Sequence, residues 1–296
     1  MTLTDMAEQV VELIGSPDAT SKAQAKTFLK RRYLMIYDAH LWEDSKTSLT
    51  LTTYDKQVIL PAWVDKVLQV VLTTGETTRV LGPFDRQNVY QIDPELLTDK
   101  GEVVGFSQMH TVATHMHPPS VQVKMSSSNT ADTGAVRIQG IHNGNEISET
   151  LSLSGTTDVT SQYYYDEIYT LSKPTTAGFV QVKTANTAAN ELQVLLPEEN
   201  ERRHQRIQLH RDINEAQALS ILAKRKPTPL SHDNDSPQLA FCVNALIAYT
   251  VADMFTRMRQ VGKAQVQLQE ASAQMASMMD QDKQQRANVV RFVPEA

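Results

Sequence analysis

Phe28-Leu29-Lys30-Arg31-Arg32-Tyr33-Leu34-Met35-Ile36-Tyr37-Asp38-Ala39-His40-Leu41-Trp42 is the stretch on which the fold turns. Leu29, Tyr33, Ile36, Tyr37 and His40 recur at three- and four-residue steps, which puts them on one face of a helix. Such a face must be buried against something. Its natural partner lies near the far end of the chain, where Leu239, Val243, Leu246, Ile247 and Met254 repeat with the same period. The two ends are therefore expected to pack together into one body, with the middle, which reads almost wholly as β-strand, carried outboard of it.

Working outward, a first helix is predicted from about Thr4 to Ile14, with Met6, Val10 and Leu13 or Ile14 on its apolar face and Gly15 as its stop. Ser16-Pro17 then offers a capping hydroxyl and a first-turn proline, and the second helix should run to about Trp42. From Ser48 the pattern changes to Ser48–Thr53, Val64–Thr73 and Thr77–Leu81 as strands. A small helix at Asp93–Thr98 and strand from Gly105 to Val123 follow. Residues 120–197 read as a separate module with strands at Val121–Met125, Ala135–Ile141, Ile147–Leu153, Tyr163–Leu171, Gly178–Lys183 and Leu192–Leu196. Turn signals such as His142-Asn143-Gly144-Asn145 separate them, which indicates a small β-sandwich. His204–Arg211 and Ala216–Ala223 complete the earlier sheet, so the sandwich is an insertion in a loop. After Ser236-Pro237 one long helix is expected, reaching about Gln285 if continuous. Its second half is rich in Ala, Gln and Met, which suits an adaptable interface. The expected class is α+β. Residues 1–47 hold the first helices, 48–119 and 198–230 the antiparallel β region, 120–197 the inserted sandwich, and 231–296 the long helix and a terminal arm.

The 296 residues carry a formal net charge of -6, so no basic stripe for gripping duplex DNA is expected. The acidic start and short apolar run of the first fifteen or so residues suit neither a signal peptide nor a membrane span, and a cytoplasmic site of synthesis is expected. Cys242, on an apolar helical face, reads as a small buried hydrophobe. No phosphate loop, nucleophile elbow or cysteine-based zinc pattern occurs. His115 and His117 share a strand face and could reach one metal, but His110 falls on the other side, so no ligand set is assembled. Asp233-Asn234-Asp235 opens like a calcium loop without its glycine or distal glutamate. Tyr163 and Tyr165, or else Tyr164, could form an exposed platform, against the plainer reading of a filled core and a rim aromatic. No catalytic residue, cofactor or metal is expected. The Lys30-Arg31-Arg32 cluster, followed by Asp38, Glu43 and Asp44, reads as a solvated or inter-subunit face. Val289-Val290-Arg291-Phe292-Val293 alternates like a short strand with apolar residues on both faces. It is expected to order on assembly by adding to a sheet edge of another protein or a neighbouring subunit, with Pro294 ending the pairing.

The helix Phe28 to Trp42, the strand Arg206-Ile207-Gln208-Leu209 and the run Ala252 to Ala264 (ADMFTRMRQVGKA) together resemble the head-to-tail adaptor, or connector, proteins of tailed bacteriophages. The insertion resembles the immunoglobulin-like modules of phage structural proteins through Gly140, Gly144, Glu149 to Thr157 and Thr176 to Val182, and it departs from immunoglobulin domains proper in having neither the cysteine pair nor a core tryptophan. The resemblance implies a homo-oligomeric ring, commonly of twelve copies, in the virion neck between the portal protein and a downstream neck or tail protein. Genomic DNA would pass through the lumen without sequence-specific binding. It also implies that Arg31, Arg32, Arg257, Arg259, Gln260 and Lys263 lie on inter-subunit helix faces and that Val289 to Val293 meet the portal or a neighbour. The runner-up reading is a collar, whisker or baseplate decoration protein whose sandwich binds glycan or protein, and the third is a metal-dependent enzyme using the histidines.

Overall fold

A computed structural model describes residues 1–74, 77–85, 102–116, 120–186, 189–210, 216–239 and 241–287. The fold is α+β. The chain divides into two compact units, Met1–Thr47 with Lys224–Ala296, and Ser48–Ala223.

In the first unit, α1 (Leu3–Ile14) opens on a capping box in which Thr2 and Asp5 each accept the other's backbone N–H, and it closes on Gly15 at φ 69. Its inward face takes Met6 and Val10 and leaves Leu13 57% exposed. α2 (Ala19–Ala39) is capped by Asp18, not by the predicted Ser16. The reason is local: the Asp18 carboxylate accepts from the Ser21 amide and from the hydroxyls of Ser16 and Ser21, which holds it well below the usual carboxylate range. α2 stops three residues short of Trp42, whose buried indole N–H donates to the carbonyl of Ile36 at 3.0 Å. Leu29, Tyr33, Ile36 and Tyr37 share one core with Leu239, Leu246, Ile247 and Met254, and Leu3, Met6 and Val10 of α1 join it.

The single long helix expected after Pro237 is not what forms. α3 spans Val243–Arg257 and α4 spans Val261–Ala287, broken at Met258–Gln260 with Arg259 at φ 59. The amides of Arg259 and Gln260 turn back onto the carbonyls of Thr256 and Phe255 and close the first helix. Apolar period alone cannot reveal this break, because the same spacing persists across it. The gain comes from packing: α4 folds along α3 and buries Ala271, Met275 and Met278, a stripe with too little bulk to support a free-standing helix.

Among the described residues the second unit holds three sheets. A seven-stranded, nearly closed sheet has the order β1-β14-β3-β4-β5-β13-β2. Its strands are β1 (Lys46–Thr53), β2 (Gln57–Ile59), β3 (Val64–Thr74), β4 (Thr77–Pro83), β5 (Gly105–Val112), β13 (His204–His210) and β14 (Gln217–Arg225). Expected to be antiparallel throughout, it is mixed: β4 and β5 pair in parallel through Gly82↔Gly105 and Pro83↔Phe106. The long connection between these strands permits the crossover that parallel neighbours need. The predicted helix at Asp93–Thr98 lies outside the described residues.

Seven further strands form two antiparallel sheets, β12-β11-β6-β9 and β10-β7-β8. They are β6 (Val121–Ser127), β7 (Ala135–His142), β8 (Asn145–Ser152), β9 (Val159–Tyr165), β10 (Glu167–Ser172), β11 (Val180–Thr184) and β12 (Glu191–Leu195). Val123, Met125, Ile138, Tyr165, Ile168 and Val182 fill one core between the sheets. The continuous strand predicted over Tyr163–Leu171 is two strands in different sheets. Asp166 makes the corner, its carboxylate accepting from the Ser120 hydroxyl and the Asn143 amide. The hairpin from β7 to β8 turns through Asn143 and Gly144 at φ 49 and 77, the pair of left-handed residues a two-residue hairpin requires. The first strand, β6, lies between β11 and β9, and its successor β7 enters the other sheet. An immunoglobulin constant-type domain instead pairs its first two strands.

Candidate functional site

The histidines are the natural place to start. His110 lies on β5, His115 is exposed beyond it and His117 falls outside the described residues. No cluster able to hold a metal ion occurs among the described residues. His110 has a different setting: its Nε2 lies 2.7 Å from Glu167 Oε1 and 2.7 Å from the guanidinium of Arg206, which is itself 2.8 Å from the same carboxylate oxygen. Arg206 is 1% exposed, and Tyr169 packs its ring edge-on to His110 at 5.1 Å. β5 and β13 supply His110 and Arg206, while Glu167 opens β10, so the cluster ties the seven-stranded sheet to the sandwich. A second joint does the same. Gln193 of β12 donates to the carbonyl of Ala113 at 2.8 Å and to Nε2 of His204 at 2.7 Å, and His204 Nδ1 donates to the carbonyl of Leu60. Sequence reasoning passed over Arg206, Glu167, Gln193 and His204. The available signal was a charged residue at a buried register position of β13.

Ser107 and His210 form a buried pair, hydroxyl to Nε2 at 2.7 Å. The hydroxyl also donates to the carbonyl of Phe84, so it must accept from the ring N–H, and Nδ1 is left with no partner. At 2% and 0% exposure this is packing and not a nucleophile with its base. Burial pushes the imidazole below its ordinary value of 6.5. The unfolded chain then binds the proton that the folded chain refuses, so the contribution is full above pH 6.5 and is lost as pH falls from there through the depressed folded value. The stability of the β unit is expected to drop on acidification in this window, well before Asp132 is protonated, because the Ser127 hydroxyl and the amides of Ala177 and Gly178 hold its carboxyl below the ordinary aspartate range. In His210→Gln the unfolding free energy, measured in urea from pH 7.5 to 5, should lose that slope.

In the helical unit Asp233 and Asp235 do structural work. Their carbonyls accept from the amides of Thr4 and Leu3, the Asp235 carboxylate accepts from Ser231 and His232, and Asp233 pairs with Lys26. The calcium-like run thus pins the start of α1. Of the residues assigned to inter-subunit faces, Arg32 is used internally: it forms a two-pronged pair with Asp253 and lies 5.1 Å from the Tyr249 ring centre. Gln260 is half-buried with its Oε1 unpartnered. Arg31, Arg257, Arg259 and Lys263 are exposed. The last three surround the α3–α4 turn beside a groove of about 470 Å³ lined by Leu13, Val251, Phe255 and Val266. Leu13 and Val266 in the groove wall are 57% and 61% exposed, Val261 beside them in sequence is 68% exposed, and Lys263, which also lines the groove, sets its ammonium 5.4 Å over the Phe255 ring. On the sandwich, Tyr165 is core and Tyr164 is half exposed. Val289 to Val293 lie outside the described residues. Among the described residues no helix is long and apolar enough to cross a membrane.

No protein-family model matches the chain, and no curated protein does. Among solved structures, a functionally unknown protein from Saccharomyces cerevisiae is similar at 10% identity over 36% of this chain and 67% of its own, with a TM-score of 0.10. A likeness of that size carries no argument about fold or function.

Proposed function

We propose that this chain is a structural head-to-tail adaptor of a tailed bacteriophage, forming a ring between the portal and the next neck or tail protein and leaving a passage for DNA. The observation that supports the reading is the set of exposed apolar side chains Leu13, Val261 and Val266 at the α3–α4 turn, because exposed apolar surface is what a heterologous subunit contact uses to close a ring. The sandwich is then an immunoglobulin-like insertion in architecture, with its own strand order. Val289 to Val293 form the arm that meets the portal or a neighbour, and the virion neck is the site of action. The half-exposed Tyr164 on edge strand β9 favours a second reading, a collar, whisker or baseplate decoration protein that binds glycan or protein through its sandwich.

Electron microscopy of the purified chain with portal protein tests the two. Closed rings seated on the portal are expected. The triple change Arg257→Glu, Arg259→Glu, Lys263→Glu should leave the helical circular dichroism intact and lower ring or portal association at least tenfold. Unaltered association in the triple variant would show that these three cations take no part in the contact, and glycan binding without portal binding would favour the second reading.

A further inference from the structure

α3 and α4 run antiparallel, so the two ends of the pair differ: Val243 sits by Gln274 and Met278 at one, and Phe255 by Lys263 and Val266 at the other. Among the described residues of the helical unit, Phe241, just ahead of α3, is the one aromatic side chain that stands exposed, at 56%. At about 1.5 Å per residue, the groove residue Phe255 lies roughly 18 Å along α3 from Val243. A chain therefore cannot bring its own Phe241 to its own groove. The ends also differ in charge. Near Phe241, Asp44 and Asp280 are exposed and the Glu43 amide donates to Asp282, while Lys46 and Lys283 pair with Glu43 and Asp280 and His40 with Asp282. Asp44 is close enough to act on Cys242, whose thiol is pushed up to about 12 by burial first and then by that carboxylate. At the groove end Arg257, Arg259 and Lys263 are exposed, with Glu12 next to Leu13 as an acid among them. An acidic end bearing an apolar projection complements a basic end bearing an apolar hollow.

We infer that Phe241 of one copy enters the groove between Leu13, Phe255 and Val266 of the next, so that the partner of this surface is a second copy of the same chain. The inference rests on the adaptor reading, whose ring needs two different and complementary surfaces on each subunit. Phe255 in the groove wall offers the incoming ring an aromatic neighbour, and the ammonium of Lys263, which already lies over Phe255, covers the joint. An aromatic anchor in an apolar hollow with charged residues around it is how interfaces concentrate their binding energy. Because projection and hollow lie at opposite ends of one helix pair, each copy keeps one end open for a further neighbour, and association continues past two copies.

The test is sedimentation velocity on the full-length chain, first without portal protein. The wild type should associate beyond a dimer as its concentration rises. Phe241→Ser removes the projection and Val266→Asp spoils the hollow; both positions are exposed, so the helical circular dichroism should be unchanged. Each variant alone should associate at least about tenfold more weakly than the wild type. Mixed, they should form a pair and go no further, because the first keeps an intact hollow and the second an intact projection. A wild type that stays monomeric or stops at a dimer would overturn the proposal, as would variants that associate like the wild type or a mixture that does not pair. Portal binding, measured separately, keeps this outcome distinct from that of the adaptor reading. Pairing of the mixture without portal binding would sustain the contact and sink the adaptor, whereas variants that self-associate normally but lose the portal would give this surface to the portal and overturn the contact.

Discussion

Glu167→Ala is expected to destabilise the Ser48–Ala223 unit by about 3 kcal/mol or more, because it leaves the guanidinium of Arg206 buried without its counter-charge. For a unit of this size that corresponds to a melting shift of roughly 6–12 °C. The cost arises from the stranded charge more than from loss of attraction. The double variant Arg206→Met, Glu167→Leu should therefore recover most of the loss, since an apolar pair of similar volume avoids desolvation altogether. Thermal unfolding followed by β-sheet circular dichroism measures both. Equal losses in the single and double variants would show that the ion pair itself, and not its orphaned partner, carries the stability. The same logic governs excision of residues 120–197, which also takes Gln193 from His204: a linker in place of the sandwich should be tolerated better with Arg206→Met than without it.

Leu246→Ala should cost the helical unit about 3 kcal/mol, within the 2–5 kcal/mol usual for a buried leucine whose neighbours cannot fully collapse. Leu246 is fully buried in the core that α1, α2 and α3 share. The helical signal at 222 nm (~222 nm being where helix dominates the far-ultraviolet spectrum) should melt earlier, while the β-rich transition stays near its original temperature. The reason is that each unit has a hydrophobic cluster of its own. A single transition shifted as a whole in Leu246→Ala would show instead that the two units unfold as one.

Much of this architecture was legible where a residue's local chemistry and its tertiary role coincide. Leu29, Tyr33, Ile36 and Tyr37 could face only one way on a helix, and the matching stripe at Leu239, Leu246 and Met254 stood out because little else in the chain repeats at that period. Gly15 and Asn143-Gly144 announced a helix stop and a hairpin through the backbone conformations they permit. The candidate surface was legible in part: Arg257, Arg259 and Lys263 are exposed as their positions suggested, whereas Arg32 was taken up by Asp253, a partner over two hundred residues away in sequence.

What the sequence determined by itself is thus the periodicity of each element, the turn chemistry and the pairing of the two helical ends, all set by side-chain spacing and single-residue conformational freedom. Tertiary structure alone decided the rest. The break at Arg259 exists because α4 gains more by folding onto α3 than by continuing, and the corner at Asp166 exists because Ser120 and Asn143 wait there to bond its carboxylate. The burial of Arg206 depends on Glu167 arriving from another sheet. Each of these is an energy difference between groups far apart in the chain, and spacing along a sequence carries no record of such differences.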